Sequence, residues 1–502
     1  MWRSVQAVRA GKYVDSKEDD DDLAAKTKHF RSDDSVWIRK GFVVASVALF
    51  CLFLLTGFLS RTRLTSEPSN VFKYVEAFNS EVLESGSESE PEEPGSDSWE
   101  LNDHLEASKQ VGCHKDSAKL KVFLYDLPPK FHYGMIPEFT PEESQIWPRN
   151  VSNIPRYPGG LYQQHSPEYW LISDLVTSDM PERSTPCTAF RVKNWQIADV
   201  ILIPFFASLS YNKYSRPAVR GRKKMDRNQE LQVNLLSFLR SQPAWRASNG
   251  ADHVLIIHHP NAMVYKREQF RSAMFVVADF GRYDAEVANI AKDVVAPYKH
   301  IIPNFDDDID SVSSFNTRTT LLFFQGAIVR KEGGIIRQKL YELLRDESDV
   351  VFVNGTTTSA GIRSATSGMR QSKFCLHMEG DTPSSNRLFD AVASHCVPLI
   401  VSDDIELPFE DVINYTEFCL FVNSSDALRK GFLTNLLRNF GEKEWTRMHD
   451  RMREVQKHFE YQLPSEIGDA VQMTWEAIAR KVPALTLARN KRRRYSRSEL
   501  VS

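Results

Sequence analysis

The residues with the most chemistry to offer lie between Ser372 and Asp411, SKFCLHMEGDTPSSNRLFDAVASHCVPLIVSDDIELPFED. An apolar run, Phe374–Leu376, enters a glycine-containing loop, Met378–Pro383. It is followed by a stretch in which Leu388, Phe389 and Val392 recur at helical spacing. A strand, such a loop and a helix N-terminus make an anion site, because free amides and the helix macrodipole both face the ligand. Ser384 or Ser385 is expected to cap that helix. Arg387, in its first turn, can give a phosphate a charge-assisted bidentate contact. Glu379 and Asp381 repel phosphate and suit the hydroxyls of a sugar or ribose, which need acceptors. Each feature also has a plainer reading: a capped helix opening a Rossmann-like unit accounts for both serines, and a lone arginine is commonly an ion-pair partner. A second pattern, Asp306–Asp308, has the D-x-D spacing that holds a divalent cation on phosphates. With a further acid at Asp310, it reads more simply as a solvated acidic run.

These residues need a scaffold of parallel strands. Apolar runs bounded by turn residues fall at Val122–Tyr125, Val200–Phe206, Val254–Ile257, Met274–Ala278, Leu321–Phe324, Val350–Val353, Phe374–Leu376, Val397–Val401 and Cys419–Val422. They are continuous rather than alternating, as strands covered on both faces must be. Helical stretches at Ile335–Arg345, Asn386–Ser394 and Ala427–Phe440 lie between them. A last helix, Ser465–Arg480, places Ile467, Val471, Trp475 and Ile478 on one face. The alternation predicts an α/β fold of two Rossmann-like domains, residues 119–305 and 321–462, joined by a polar linker at 306–320. A closing helix over 463–485 and a basic tail over 486–502 follow. The two sheets would face each other across a cleft at the carboxyl ends of their strands.

Length and composition agree. The chain of 502 residues exceeds what one core organises. Its net charge of −3 argues against a nucleic-acid partner. Gly41–Ser60 is twenty residues long without a charge, enough to cross a bilayer as one helix. A mostly polar segment precedes it and no clear cleavage site follows, so it reads as a signal-anchor. Lys26, Lys28, Arg31, Arg39 and Lys40 outweigh Arg61 and Arg63, which leaves residues 1–40 cytosolic and the rest in the secretory lumen. The Asn-x-Ser/Thr sequons at Asn150, Asn354, Asn414 and Asn423 all follow the span, with Asn354 and Asn414 near predicted strands. Residues 61–118 form a stem whose Ser80–Trp99 is rich in Ser, Glu, Pro and Gly and cannot fold alone. Beyond the membrane lie Cys113, Cys187, Cys375, Cys396 and Cys419, in no zinc-binding pattern. Cys113 with Cys187 is one pairing, and free thiols are the other reading.

The Ser372–Asp411 segment closely resembles the signature of the exostosin-type glycosyltransferases, SKFCL-x-x-x-GDTPSS-x-RLFDA, then C-x-P-x-IVSD and ELPFED. KVFLYDLPPKF at Lys121–Phe131, YQQHSPEYWLISDL at Tyr162–Leu175, ADVILIPFF at Ala198–Phe206, Asp252–His253 and LLFFQG at Leu321–Gly326 are similar to the family in the same order. Within the family the chain looks most like the plant branch of arabinan arabinosyltransferases. The resemblance implies a GT-B fold, a Golgi location and an inverting transfer from a UDP-sugar to a polysaccharide. It implies no metal or other cofactor. Carried onto this sequence, it places Gly326, Arg330, Glu379, Gly380, Asp381, Ser384, Ser385, Arg387 and Glu406 around the donor, with Arg337 a weaker second cation. An inverting transfer also needs a base from the N-terminal half. Asp126, His165, Glu168, His258 and His259 are the candidates, and His165 with Glu168, one helical turn apart, are preferred. The resemblance implies arabinose onto pectic arabinan; galactose, xylose or glucuronic acid, onto hemicellulose, would need only a few altered side chains. A catalytically silent partner in a Golgi synthase complex, homo- or hetero-oligomeric, is the alternative to an active enzyme.

Overall fold

The apolar runs pair as parallel strands in two sheets. The computed structural model describes residues 112–215, 226–305, 314–330, 334–356 and 358–496. The expected cytosolic tail, membrane span, most of the stem and the Asp306–Asp308 pair lie outside these residues. Among those described, no helix is long and apolar enough to cross a membrane.

The first sheet contains β1 (Leu120–Leu124), β2 (Ala189–Val192), β3 (Val200–Ile203), β4 (His253–Ile256), β5 (Met274–Val277) and β6 (Val294–Val295), in the order β2-β1-β3-β4-β5-β6. Every residue of β3, β4 and β5 is buried, as an apolar strand covered on both faces requires. Helices α1 (Pro167–Thr177) and α2 (Ala207–Tyr214) belong to this half. The second sheet contains β7 (Thr320–Gly326), β8 (Val350–Asn354), β9 (Ser372–Met378), β10 (Val397–Val401) and β11 (Leu420–Phe421), in the order β11-β10-β9-β7-β8. Its helices include α3 (Ile335–Leu344), α4 (Ser359–Arg370) and α5 (Arg387–Ala393). Both sheets share one plan: the second strand flanks the first on one side, and the third, fourth and fifth follow on the other. The chain therefore reverses its winding between the first and third strands of each sheet, where such folds open a crevice at the strands' carboxyl ends.

Several expectations need correction. The folded body begins before residue 119, because Cys113 is already bridged to Cys187; a second bridge joins Cys375 to Cys396, and Cys419 is a buried thiol. The polar linker ends earlier than residue 320: Arg318 is fully buried and donates to the carbonyls of Met369 and Ser372. The stretch Ala427–Phe440 is two helices, Ser424–Ala427 and Phe432–Arg438, broken where Gly431 takes φ +74°. The last helix, α6, spans Ala470–Ser496 rather than starting at Ser465. Ile467 lies in the preceding turn, largely exposed, while Val471, Trp475 and Ile478 are buried.

That preceding turn has its own anchor in the first half. Asp174 of α1 accepts from Arg183 (2.8 Å), Ser465 (2.6 Å) and the Trp475 indole (3.0 Å). The Asp174–Arg183 pair is wholly buried, so removing either partner would leave an uncompensated charge costing about 3–5 kcal/mol.

Candidate active site

A cavity of about 470 Å³ opens between residues at the carboxyl ends of the two sheets, within the usual range for small-molecule sites. One wall follows β7, β8 and β9 and carries Arg330, Arg337 and Arg387. The opposite wall carries His165 before α1 and His259 after β4. Ile301, Ile302, Ile362, Ala365 and Met369 give the lining an apolar portion.

The arginine wall is built on close backbone approach. Gly326 ends β7, and a methyl there would collide with the Arg387 guanidinium; at Gly380 a Cβ would lie 2.6 Å from an Arg337 nitrogen. Arg337 is nearly inaccessible and spends its donors on the carbonyls of Glu379 (2.8 Å), Ala327 (3.1 Å) and Met378 (3.2 Å). Burial and the neighbouring Arg387 and Arg330 charges lower its pKa to about 9, still cationic at neutral pH. Arg330 is paired with Asp381. Arg387 is the least committed of the three. Its Nε donates to the Gln325 carbonyl (3.0 Å) and the group lies over the Phe324 ring, which leaves its terminal nitrogens without an acceptor among the described residues. Three like charges gathered in this way favour an anionic ligand bearing several oxygens.

The serines do not cap α5. Its N-cap is Asn386, whose side chain makes no capping bond, and both serine hydroxyls are engaged elsewhere. Ser385 bonds His377 Nδ1 (3.2 Å), and His377 Nε2 donates to the Pro383 carbonyl (3.2 Å). Ser384 reaches across to the first half, donating to Asp279 and meeting the Tyr298 hydroxyl at 3.0 Å. The loop beside the arginines is thereby docked on residues following β5 and β6. Burial raises the Asp279 carboxyl above its ordinary range.

The histidine wall is neutral. His165 Nδ1 lies 3.0 Å from His258 Nδ1, and His258 Nε2 lies 3.1 Å from the Ala296 carbonyl. The Tyr298 ring packs on both. Burial lowers the pKa of His258 to about 3 and of His259 to about 4, and holds His165 well below its ordinary value.

Of the expected residues, Gly326, Arg330, Gly380, Asp381, Ser384, Ser385, Arg387 and His165 line this cavity. Glu379 and Glu406 line an adjoining acidic opening with Asp404. Glu168 and Asp126 do not line the cavity. Glu168 is fully buried and its carboxylate accepts from the amides of Ser208 (2.8 Å) and Leu209 (2.9 Å) in the first turn of α2. Burial pushes its pKa up to about 8 against those bonds. Asp126 binds Trp147 (2.6 Å) and Arg191 (3.0 Å) at the surface. Sequence reasoning missed Asp279, Tyr298 and His377. A first acid after a strand end was the one available signal, and it applies only to Asp279. Asn354, Asn414 and Asn423 are exposed, and Asn150 is half-buried.

Residues 116–440 match the Exostosin GT47 domain. The chain is 38% identical over 379 residues to the probable arabinosyltransferase ARAD1 of Arabidopsis thaliana, covering 75% of this chain and 81% of that one. It is 23% identical to the probable glucuronosyltransferase GUT1 of Oryza sativa subsp. japonica, covering 73% and 82%. It is 24% identical to the probable beta-1,4-xylosyltransferase IRX10L of Arabidopsis thaliana, again covering 73% and 82%.

Proposed function

The chain belongs to the exostosin GT47 family of glycosyltransferases, and from that premise we propose that it transfers a sugar, with inversion, from a UDP-sugar to a cell-wall polysaccharide. The observation that carries the reading is the cavity lined by three arginines from the second half and by His165 and His259 from the first. The diphosphate lies against Arg387, with Arg330 and Arg337 adding charge, and the uracil packs on the apolar lining at Ile362 and Met369. Negative charge growing on the departing diphosphate meets fixed cations, so no metal is required. His165 is the residue placed to accept the acceptor's proton. The two facing sheets are a GT-B arrangement. Arabinose is the preferred donor sugar because of the likeness to ARAD1, and arabinan the preferred acceptor. Gly41–Ser60 anchors the chain in the Golgi membrane with the body luminal, where the sequons are accessible for glycosylation.

The test uses the full-length chain in detergent against UDP-arabinose, UDP-galactose, UDP-xylose and UDP-glucuronate, with and without EDTA. Thermal stabilisation by UDP and by one donor, transfer that survives EDTA, and loss of UDP stabilisation in Arg387→Ala are expected. EDTA-sensitive transfer would move the diphosphate site to Asp306 and Asp308. A folded wild type that binds no UDP would overturn the enzyme reading in favour of a silent partner.

A further inference from the structure

We propose that His258 is a positioning residue that holds His165 in the one tautomer able to take a proton from the cavity, and that the neighbouring His259 is locked in the opposite tautomer. The inference rests on the transferase reading above.

Each partner's capacity to donate or accept fixes the tautomers. The Ala296 carbonyl can only accept, so His258 Nε2, at 3.1 Å, must carry the proton. A neutral His258 then has a lone pair on Nδ1. The atom facing that lone pair at 3.0 Å is His165 Nδ1, which must therefore donate. A neutral His165 whose proton sits on Nδ1 has a bare Nε2, and His165 lines the cavity. The chain His165–His258–Ala296 is thus directional, and a main-chain carbonyl sets its direction. Burial of both rings keeps them neutral, so the assignment is not blurred by a second proton.

His259 runs the other way. Its Nδ1 lies 3.1 Å from the Asn261 backbone amide, which can only donate, so the proton of a neutral His259 is on Nε2. The rings of His165 and His259 lie 4.5 Å apart, and both border the cavity. One presents a lone pair and the other an N–H. An acceptor hydroxyl in the cavity that reaches both rings donates to His165 and accepts from His259, so His259 orients the hydroxyl and cannot deprotonate it. In the transfer step the acceptor O–H bond breaks and its proton goes to His165 Nε2. The oxygen's electron pair forms the new bond to the anomeric carbon, and the bond from that carbon to the diphosphate oxygen breaks with its pair leaving on UDP. The Tyr298 ring, packed on His165 at 5.0 Å and His258 at 4.8 Å, limits rotation of both.

The test compares His258→Phe with His258→Gln in the full-length chain, reading kcat, donor KM and UDP stabilisation separately. Phenylalanine offers His165 no acceptor and frees its proton to move to Nε2. Glutamine can still accept from His165 with its carbonyl and donate to Ala296 with its amide. His258→Phe is expected to lose about 10–100-fold in kcat, the range for removing a group that orients a reactive one, with donor KM and UDP stabilisation unchanged. His258→Gln should recover most of that loss. Equal losses in the two variants, or a His258→Phe chain turning over like wild type, would overturn the role of His258 while leaving the transferase reading intact. Should His258→Phe fail to fold, His258→Gln decides alone. A kcat near wild type supports the relay, and a large loss with intact UDP stabilisation overturns it. A wild type that neither binds UDP nor transfers would remove both readings together.

Discussion

Arg337 on one side of the cavity and His258 on the other are buried to similar extents and end in different charge states. Arg337 is as inaccessible as any core residue, yet burial brings its pKa down only to about 9. His258 and His259 face the same penalty and fall to about 3 and 4. The difference lies in where each group starts. Desolvation disfavours the charged form of both, but a guanidinium begins so far above neutrality that it stays ionised, while an imidazole begins within a unit of it. Hydrogen bonding does not close the gap: Arg337 is held by three carbonyls, which favour its cation, while the Ala296 carbonyl raises His258 too little to offset its burial. Comparable burial thus produces a wall that holds fixed charge and a wall that can handle protons.

The largest expected effects come from breaking the walls one at a time. His165→Ala should lower kcat by about 10²–10⁴-fold, the usual worth of a general base, and leave UDP stabilisation untouched. Gly326→Ala should do the reverse, displacing the Arg387 guanidinium that its methyl would strike and weakening UDP stabilisation as Arg387→Ala does. Steady-state transfer measured beside UDP-dependent thermal shifts separates the two. If His165→Ala also abolished UDP stabilisation, the division of labour between the walls would be wrong.

A smaller effect concerns stability and pH. A histidine whose folded pKa lies below its unfolded value of 6.5 binds fewer protons folded than unfolded. The stability this represents is present above pH 6.5 and is lost as pH falls toward the folded pKa. His132, His258, His259, His377 and His449 all have folded values of about 3 or 4, each from burial first. Each such proton is worth up to about 1.4 kcal/mol per pH unit in that window. Glu168 and Asp469, raised to about 8 and 7, oppose this, gaining stability as pH falls toward their unfolded values. Asp279, Asp293, Glu379, Asp390 and Glu406 are raised in the same sense, and His165, His253 and His458 are lowered with the other histidines; eight lowered histidines against seven raised carboxyls should let the melting temperature drop between pH 7 and pH 5. The arginine wall contributes nothing in this window. A melting temperature flat or rising on acidification would mean that the raised carboxyls outweigh the buried histidines.

How much of this was legible in the sequence depended on whether the signal was local. The buried strands were, because runs such as Val200–Ile203 are continuous and apolar. β2 was not, since Arg191 interrupts its four residues, and β6 is only two residues long. The loop bearing Gly380, Ser384, Ser385 and Arg387 was legible from its strand, turn and helix order. What each side chain touches was not. Arg337 reads as a weaker second cation and is instead the most enclosed cation of the cavity, because periodicity does not say which face a neighbouring loop will cover. Ser384 reads as a cap and instead grips Asp279, 105 positions earlier, a contact that exists only once the two sheets are assembled. Glu168 has the spacing of a partner to His165, yet α2 occupies its carboxylate.

Asp126 provides the smallest expected effect and the cleanest control on the contrast between the walls. It follows β1 at the carboxyl edge of the first sheet, a position where such folds place functional groups. Its carboxylate is 62% exposed and occupied by Arg191 at 3.0 Å and by the Trp147 indole at 2.6 Å. Arg191 keeps a second contact with the Trp147 ring, so it is not stranded when Asp126 is removed. A partly solvated pair of this kind is worth under about 1 kcal/mol. Asp126→Ala should therefore leave kcat within about twofold of wild type and shift thermal stability only slightly. A fall in kcat beyond about tenfold with unchanged stability would correspond to more than 1.4 kcal/mol of lost transition-state binding. Asp126 would then have to approach the substrate in the reacting complex, and proton handling could no longer be assigned to the histidine wall alone.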